Sequence, residues 1–250
     1  MNKPPAPLFV VGLGPGSESE LTLRARQILA ETPCLAGYGL YLDLLPESLK
    51  SGKKLIESGM RRERERCSLA VDSALAGTPT ALLSSGDPGV YALASLAIEE
   101  LERKNLLETV PLEIVPGVPA LCAAAARLGA PLGHDFACVS LSDLLTPLDV
   151  IKNRLHAALE ADFVCVLYNP RSRGRPDYLA LALDMAKARR SPACPVALAR
   201  NIARKGESVT VSTLADFNPN LADMLSLVIV GSNSTRAIGP YVITPRGYYK

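Results

Sequence analysis

Short apolar runs alternate with longer helical windows from the first residues onward. Aliphatic or β-branched runs at Leu8–Val11, around Cys34, at Lys54–Glu57 and at Thr80–Ser84 are too short for helices and predict strands. Between them, amphipathic windows over Leu21–Glu31, Arg64–Ala76 and Tyr91–Lys104 predict helices, with a shorter one near Tyr41–Leu45. This repetition of strand and helix predicts a mostly parallel sheet.

The stretch "PLEIVPGVPALCAAAARLGAPLG" breaks the rhythm: a short strand meets two prolines, an Ala-rich helix follows, and another Gly/Pro break closes it. It is the candidate junction between domains at 1–116 and 117–250, giving two unequal α/β domains. The second half predicts strands at Ala137–Leu141, Phe163–Leu167 and Val196–Ala199, with helices over Pro147–Glu160 and Asp177–Arg189. Its last strands, "ESVTVSTL" and "MLSLVIVG", flank one short helical segment and predict hairpin-like, antiparallel additions to the sheet.

With 48% hydrophobic and 21% charged residues, the chain has the composition of a folded globular protein and can bury a core. Its 27 basic and 25 acidic residues leave a net charge of +2, too even to imply a nucleic-acid or membrane surface, so an anionic ligand must be met by a local cluster. Six cysteines lie far apart without a C-x-x-C pair, which predicts reduced core residues of a cytoplasmic protein with no metal site. The opening "MNKPPAPLFVVGLG" reads as a strand running into glycines, neither signal peptide nor membrane span.

Ligands of open α/β sheets bind at the carboxyl ends of strands, where backbone N–H groups are free. Gly/Pro-rich or Asn-bearing segments fall there: Gly12 to Gly16, Ser84 to Gly89, Pro116 to Pro119, Tyr168-Asn169-Pro170 and Arg200-Asn201. A dinucleotide fingerprint is excluded because Ser17 stands where its third glycine belongs, and Pro15 removes a donor. No Gly-Lys-Ser/Thr follows at the spacing of a phosphate loop. "SSGDPG" is no nucleophile elbow either, since Leu82 and Leu83 occupy the positions of the earlier glycine, and only His134 and His156 exist as bases. What fits is a compact ligand met by main-chain amides and carbonyls, or else tight turns without function.

The blocks "VVGLGPGS", "SSGDPGVY", "IVPGVPA", "LYNP", "ARN" and "SLVIVG" run in order over nearly the whole chain and resemble the tetrapyrrole (corrin/porphyrin) methylase superfamily. Within it, "AGYGLYLDLL", "ESGMRRERER", "GHDFACVSLSDLLTP", "LYNPRSRGR", "LARNIARKGE" and "TPRGYY" resemble the precorrin-3B C17-methyltransferase branch. The resemblance implies two α/β domains with S-adenosyl-L-methionine in the cleft between them, in a homodimer. It implies cofactor contacts at Gly86, Asp87, Pro88, Val90 and Tyr91, with Pro15 and Ala120, and at Tyr168, Asn169, Asn201, Ser226 and Leu227 around adenine and ribose. Where many members carry Asp after Gly-Pro-Gly, this chain has Ser17.

The same resemblance implies methylation of precorrin-3B at C17 with contraction of the corrin ring, in cobalamin biosynthesis. Proton traffic for contraction would fall to His134, Asp135, Ser142 and Asp143, beside Ser140; for Ser142 and Asp143 the alternative is helix capping before Pro147. The carboxylates of such a tetrapyrrole call for arginines. Arg171, Arg173 and Arg175 follow Tyr-Asn-Pro directly, and Arg61 lies in "GMRRERERC" with Arg62, Arg64 and Arg66, where Glu63 and Glu65 offer self-pairing instead. The rival readings are another ring-position methylase of the same fold, including the cobalt-factor III enzyme, and a noncatalytic nucleotide-binding module.

Overall fold

A computed structural model describes residues 3–249. They divide into two compact units between Ala120 and Leu121.

The first unit runs β1 (Leu8–Gly12), α1 (Leu23–Glu31), β2 (Cys34–Tyr38), α2 (Gly39–Asp43), α3 (Glu47–Lys50), β3 (Lys54–Ser58), α4 (Glu63–Leu75), β4 (Thr80–Ser84), α5 (Ala94–Arg103) and β5 (Leu112–Val115). Its sheet has the order β3-β2-β4-β1-β5 and is parallel throughout. The pleat sends alternate residues to opposite faces. Leu8, Val10, Ala36 and Leu82 pack against Cys67, Ala70 and Val71 of α4 and Ala97 and Leu101 of α5. Val11, Leu35, Ala81 and Leu83 pack instead against Ala25, Ile28 and Leu29 of α1, with Leu42 and Leu49. Burial on both faces explains why these strands read as continuous apolar runs and not as alternations. Truncating Leu82, fully buried between the layers, to Ala would cost about 2–5 kcal/mol.

Two helices start later than their hydrophobic windows. Thr22 Oγ1 accepts from the Ala25 N–H at 3.1 Å, so α1 begins at Leu23 and not at Leu21. Tyr91 has φ +52°, outside any right-handed helix, and Ala94 N donates to Pro88 O at 3.0 Å. The turns before α5 therefore consume residues expected to be helical.

The second unit contains α6 (Ala120–Leu128), which begins at the division, then β6 (Gly129–Ala130), β7 (Phe136–Ser140), α7 (Leu148–Glu160), β8 (Val164–Tyr168), α8 (Tyr178–Lys187), β9 (Pro195–Arg200), β10 (Ser208–Thr213), β11 (Ser226–Val230), β12 (Arg236–Ile238) and β13 (Tyr241–Ile243). Its main sheet has the order β10-β9-β11-β8-β7. β7 and β8 are parallel, and β11 runs antiparallel to both β8 and β9. The two late strands are antiparallel as expected, but they do not pair with each other: β9 lies between them. Ile151, Leu155 and Leu159 of α7 and Leu179 and Leu183 of α8 close one face over Val139, Leu167, Val196, Leu198 and Val228. β12, β13 and β6 form a separate three-stranded sheet, too short in each member for periodicity to reveal it.

Cys34, Cys67, Cys165 and Cys194 are buried, whereas Cys122 on α6 is exposed, which corrects the expectation that the cysteines are core residues. The expectation failed there because an Ala-rich helix carries no strong polar face to mark its outer side. Among the described residues, no helix is long and apolar enough to cross a membrane.

Candidate functional site

Three Gly/Pro loops leave the carboxyl edge of the first unit's sheet, from β1, β4 and β5, and β1 lies between the other two strands. The first two are fastened main chain to main chain. Leu13 N donates to Ser84 O at 2.8 Å, Gly86 N to Gly14 O at 2.7 Å, and Gly14 N to Gly86 O at 3.2 Å. Glycine is demanded by this approach: a Cβ on Gly12 would stand 2.6 Å from Gly117 N and 2.7 Å from Gly86 O. One on Gly117 would fall on the Gly86 carbonyl oxygen.

Asp87 fastens the third loop. Its Oδ1 accepts from Gly89 N at 2.8 Å, within its own turn, and its Oδ2 accepts from Gly117 N at 3.1 Å. Both oxygens thus hold backbone, and the carboxylate orders two loops at once. Pro15 and Pro88 are buried, Val90 and Ala120 are half-buried, and Tyr91 stands exposed on its left-handed backbone. Ser17 serves its own turn, where its Oγ accepts from Ser19 N at 3.2 Å and caps the short segment Glu18–Glu20.

In the second unit, β7, β8 and β9 point the same way, so their carboxyl ends share one edge with the start of antiparallel β11. Tyr168, Asn169, Asn201, Ser226 and Leu227 all lie on that edge. Asn169 and Asn201 both adopt φ +51°, a conformation that Asn tolerates better than most residues. Asn169 Nδ2 donates to Ser140 Oγ at 2.9 Å, Tyr168 Oη accepts from Leu121 N at 3.1 Å, and Asn201 N donates to Leu225 O at 3.1 Å. Ser226 faces Arg200 in register, and its hydroxyl donates to Asp223 Oδ1 at 2.7 Å. Leu227 is buried.

The four residues expected to move protons do not form one cluster. Ser142 and Asp143 follow the carboxyl end of β7, whereas His134 and Asp135 precede its amino end, about five strand residues or ~17 Å away. His134 Nδ1 accepts from Asp135 N at 2.8 Å, and the pair lines a cavity of ≈ 190 Å³ with Asp162, Phe163, Ser232 and Ser234. Sequence proximity concealed this separation because a strand of five residues spans the whole sheet.

Asp143 is held from two sides: Tyr178 Oη donates to its Oδ2 at 2.7 Å, and Arg175 Nε lies 3.6 Å from its Oδ1. That hydrogen bond to the carboxylate, with burial after it, pushes the Tyr178 phenol above its ordinary value. Arg175 is 7% exposed and donates Nη1 to Leu141 O at 2.8 Å, so it anchors the loop after β7 from within. Arg171 donates to Pro176 O at 3.3 Å and to Asn220 O at 3.0 Å. Arg173, at the turn between Ser172 and Arg175, is exposed. Arg61 is exposed too and has φ +63°. Sequence reasoning missed Tyr178, whose position in an amphipathic helix reads as packing.

A doubly wound parallel sheet with backbone-lined loops at its carboxyl edge, followed by a mixed-sheet unit, defines an α/β protein whose loops lie at the edge where ligands of such sheets bind. Comparison with known proteins takes this further. The family model of the Tetrapyrrole (Corrin/Porphyrin) Methylases matches residues 7–218. The chain is 45% identical to the probable cobalt-factor III C(17)-methyltransferase of Salmonella typhimurium, over 96% of this chain and 99% of that one. It is 40% identical to the precorrin-3B C(17)-methyltransferase of a Sinorhizobium species, over 96% of each. The crystal structure of the methyltransferase CobJ superposes with a TM-score of 0.91 at 37% identity, covering 96% of this chain and all of that one. The chain belongs to the tetrapyrrole methylases and is an S-adenosylmethionine-dependent methyltransferase.

Proposed function

We propose that the enzyme methylates C17 of a corrin precursor, precorrin-3B or its cobalt-bearing counterpart, and supports the accompanying ring contraction in cobalamin biosynthesis. The observation that carries this reading is the full-length similarity, at 40% identity or more, to two proteins named for C17 methylation. The two names differ in the metal content of the substrate, and the similarity is the higher to the cobalt-factor III protein.

The first unit's rim suits a sulfonium cofactor. Gly86, Asp87, Pro88, Val90 and Tyr91, with Pro15 and Ala120, make a wall of backbone whose own carboxylate, Asp87, is turned onto N–H groups and not outward. When bound, the cofactor supplies an electrophilic methyl group. The chain's contribution is alignment and exclusion of water, and alignment alone can lower a barrier by roughly 7–11 kcal/mol. Such chemistry needs no catalytic triad. On the second unit's edge, Ser142 and the anchored Asp143 are the proton-bearing groups that this reading assigns to contraction, and exposed Arg173 is its carboxylate contact.

Incubation with methyl-labelled S-adenosylmethionine and either the metal-free or the cobalt-loaded substrate, followed by location of the label, tests the reading. Label at C17 supports it and identifies the metal form. Label at another ring carbon would replace it with a different ring-position methylase.

A further inference from the structure

Arg66 is the first buried side chain of α4, only 2% exposed, in a stretch whose other arginines, Arg61, Arg62 and Arg64, are exposed. Burying a guanidinium is costly unless hydrogen bonds and opposite charge compensate it. Its Nε donates to Ser58 Oγ at 2.8 Å and its Nη2 to Gly59 O at 3.1 Å. Its central carbon lies 5.8 Å from the centre of the Tyr38 ring, which meets Tyr41 edge-on at 5.4 Å. All these partners are neutral, and among the described residues no carboxylate comes within 4.0 Å of it.

Tyr38 and Ser58 are register partners that close β2 and β3. Arg66 therefore ties two neighbouring strand ends to the first turn of α4, at the sheet edge where ligands of α/β proteins bind. What it closes off is the loop Gly59–Arg62, in which Met60 is 68% exposed and Arg61 holds the left-handed φ of +63°. A non-glycine residue stays in that region only when its surroundings impose it. Arg62 pairs with Glu65 at 3.1 Å, which leaves Arg61 as the loop's guanidinium without a carboxylate partner among the described residues.

A Met side chain could fill the volume of Arg66, but only a forked, permanently charged group reaches both acceptors and leaves positive charge at the loop's base. We infer that Arg66 is a positioning residue for substrate: it fixes the Gly59–Arg62 backbone so that Arg61 meets a peripheral carboxylate of the macrocycle. The inference rests on the tetrapyrrole reading above. It concerns a contact that neither the cofactor loops nor the second unit provides.

Titration with uroporphyrin III, a carboxylate-rich tetrapyrrole, followed by absorbance, provides the test, with S-adenosylhomocysteine affinity measured alongside. Arg61→Ala and Arg66→Lys are each expected to weaken porphyrin binding about tenfold, equivalent to the loss of one good ionic contact. The double variant should be no weaker than about tenfold, since both changes remove the same contact. S-adenosylhomocysteine affinity should not change. If Arg66→Lys fails to fold, Ser58→Ala, which removes one acceptor only, should weaken porphyrin binding in the wild-type background and not in Arg61→Ala. Additive losses, or no loss, would overturn the inference while the tetrapyrrole reading stands. No porphyrin binding by the wild type would also overturn the inference, with the tetrapyrrole reading decided by the position of the methyl label.

Discussion

Asp87 and Gly117 are joined across two loops: the Oδ2 of one accepts from the N–H of the other at 3.1 Å, while Oδ1 holds Gly89 N at 2.8 Å. An acid at the end of a buried strand is, on this geometry, a fastener. Asp87→Ala should lower stability by about 1.5–3 kcal/mol, the worth of a hydrogen bond to a charged group. It should also raise the dissociation constant of S-adenosylhomocysteine at least tenfold, because the Gly86 and Val90 backbone loses its support. Calorimetric titration beside thermal unfolding checks both, and an unaltered dissociation constant would remove Asp87 from the cofactor rim.

Gly117→Ala places a methyl group on the Gly86 carbonyl, with backbone and not a flexible side chain in the way. Overpacking commonly costs about 1–3 kcal/mol, and here no rotamer can relieve it. A urea midpoint lowered accordingly is expected. Gly52→Ala is less informative as a control, because its own φ is +75°; Gly174, with open space at its Cβ and no positive φ, is the position to compare.

Much of this arrangement is legible in the sequence. The three central strands of the first unit, β1, β2 and β4, appear as apolar runs because both faces are buried, and the Gly/Pro loops appear because only those residues allow such close approach. What stays hidden depends on the third dimension. That β9 separates β10 from β11 is a pairing choice no run of Val and Ser declares. That Arg175 points inward while Arg173 does not is decided by a two-residue turn between Ser172 and Arg175. Sequence spacing also puts His134 and Asp143 in one group, although β7 carries them to opposite edges of the sheet.

The stability of the first unit should fall in acid through Glu100. The hydrogen bond from Arg103, with burial opposing it and Ser68 and Lys104 assisting, holds its carboxyl down to about 2 from 4.5. A depressed native value means stability that is fully present above the unfolded value near 4.5 and is lost as pH falls toward 2. Glu100→Gln should flatten the acid limb of a plot of urea midpoint against pH over that window. An acid limb identical to that of the wild type would show that the pair with Arg103 does not differ from its unfolded counterpart.

Alkaline conditions should act through the buried thiols. Burial pushes Cys67 up to about 12 and Cys165 and Cys194 up to about 11. Above about pH 8.5 the unfolded chain has released these protons and the native one has not, so stability falls as pH rises through 9 to 11. The same burial makes these groups poor nucleophiles. Brief treatment with iodoacetamide at pH 8 should label exposed Cys122 well ahead of Cys67, Cys165 and Cys194, as read by peptide mass. Equal labelling of Cys67 under native conditions would contradict its burial.

Arg173 and Arg175 lie two residues apart and should fail in opposite ways. Arg175 is buried, bonded to Leu141 O at 2.8 Å and facing Asp143 at 3.6 Å. Removing it would leave a buried carbonyl unsatisfied and release one side of the Asp143 carboxylate, so Arg175→Ala should cost about 1–3 kcal/mol or more in stability. Substrate turnover would fall as a consequence of the loosened loop after β7, with Ser142 displaced. Arg173 stands at the exposed turn, where a substitution changes stability by no more than about 0.5 kcal/mol. Arg173→Ala should therefore raise the KM for tetrapyrrole about tenfold, leave S-adenosylhomocysteine affinity alone and keep the wild-type unfolding temperature. Measuring Tm and both affinities for the two variants separates an internal anchor from a ligand contact. An Arg173 variant with unchanged KM would move carboxylate recognition away from this turn.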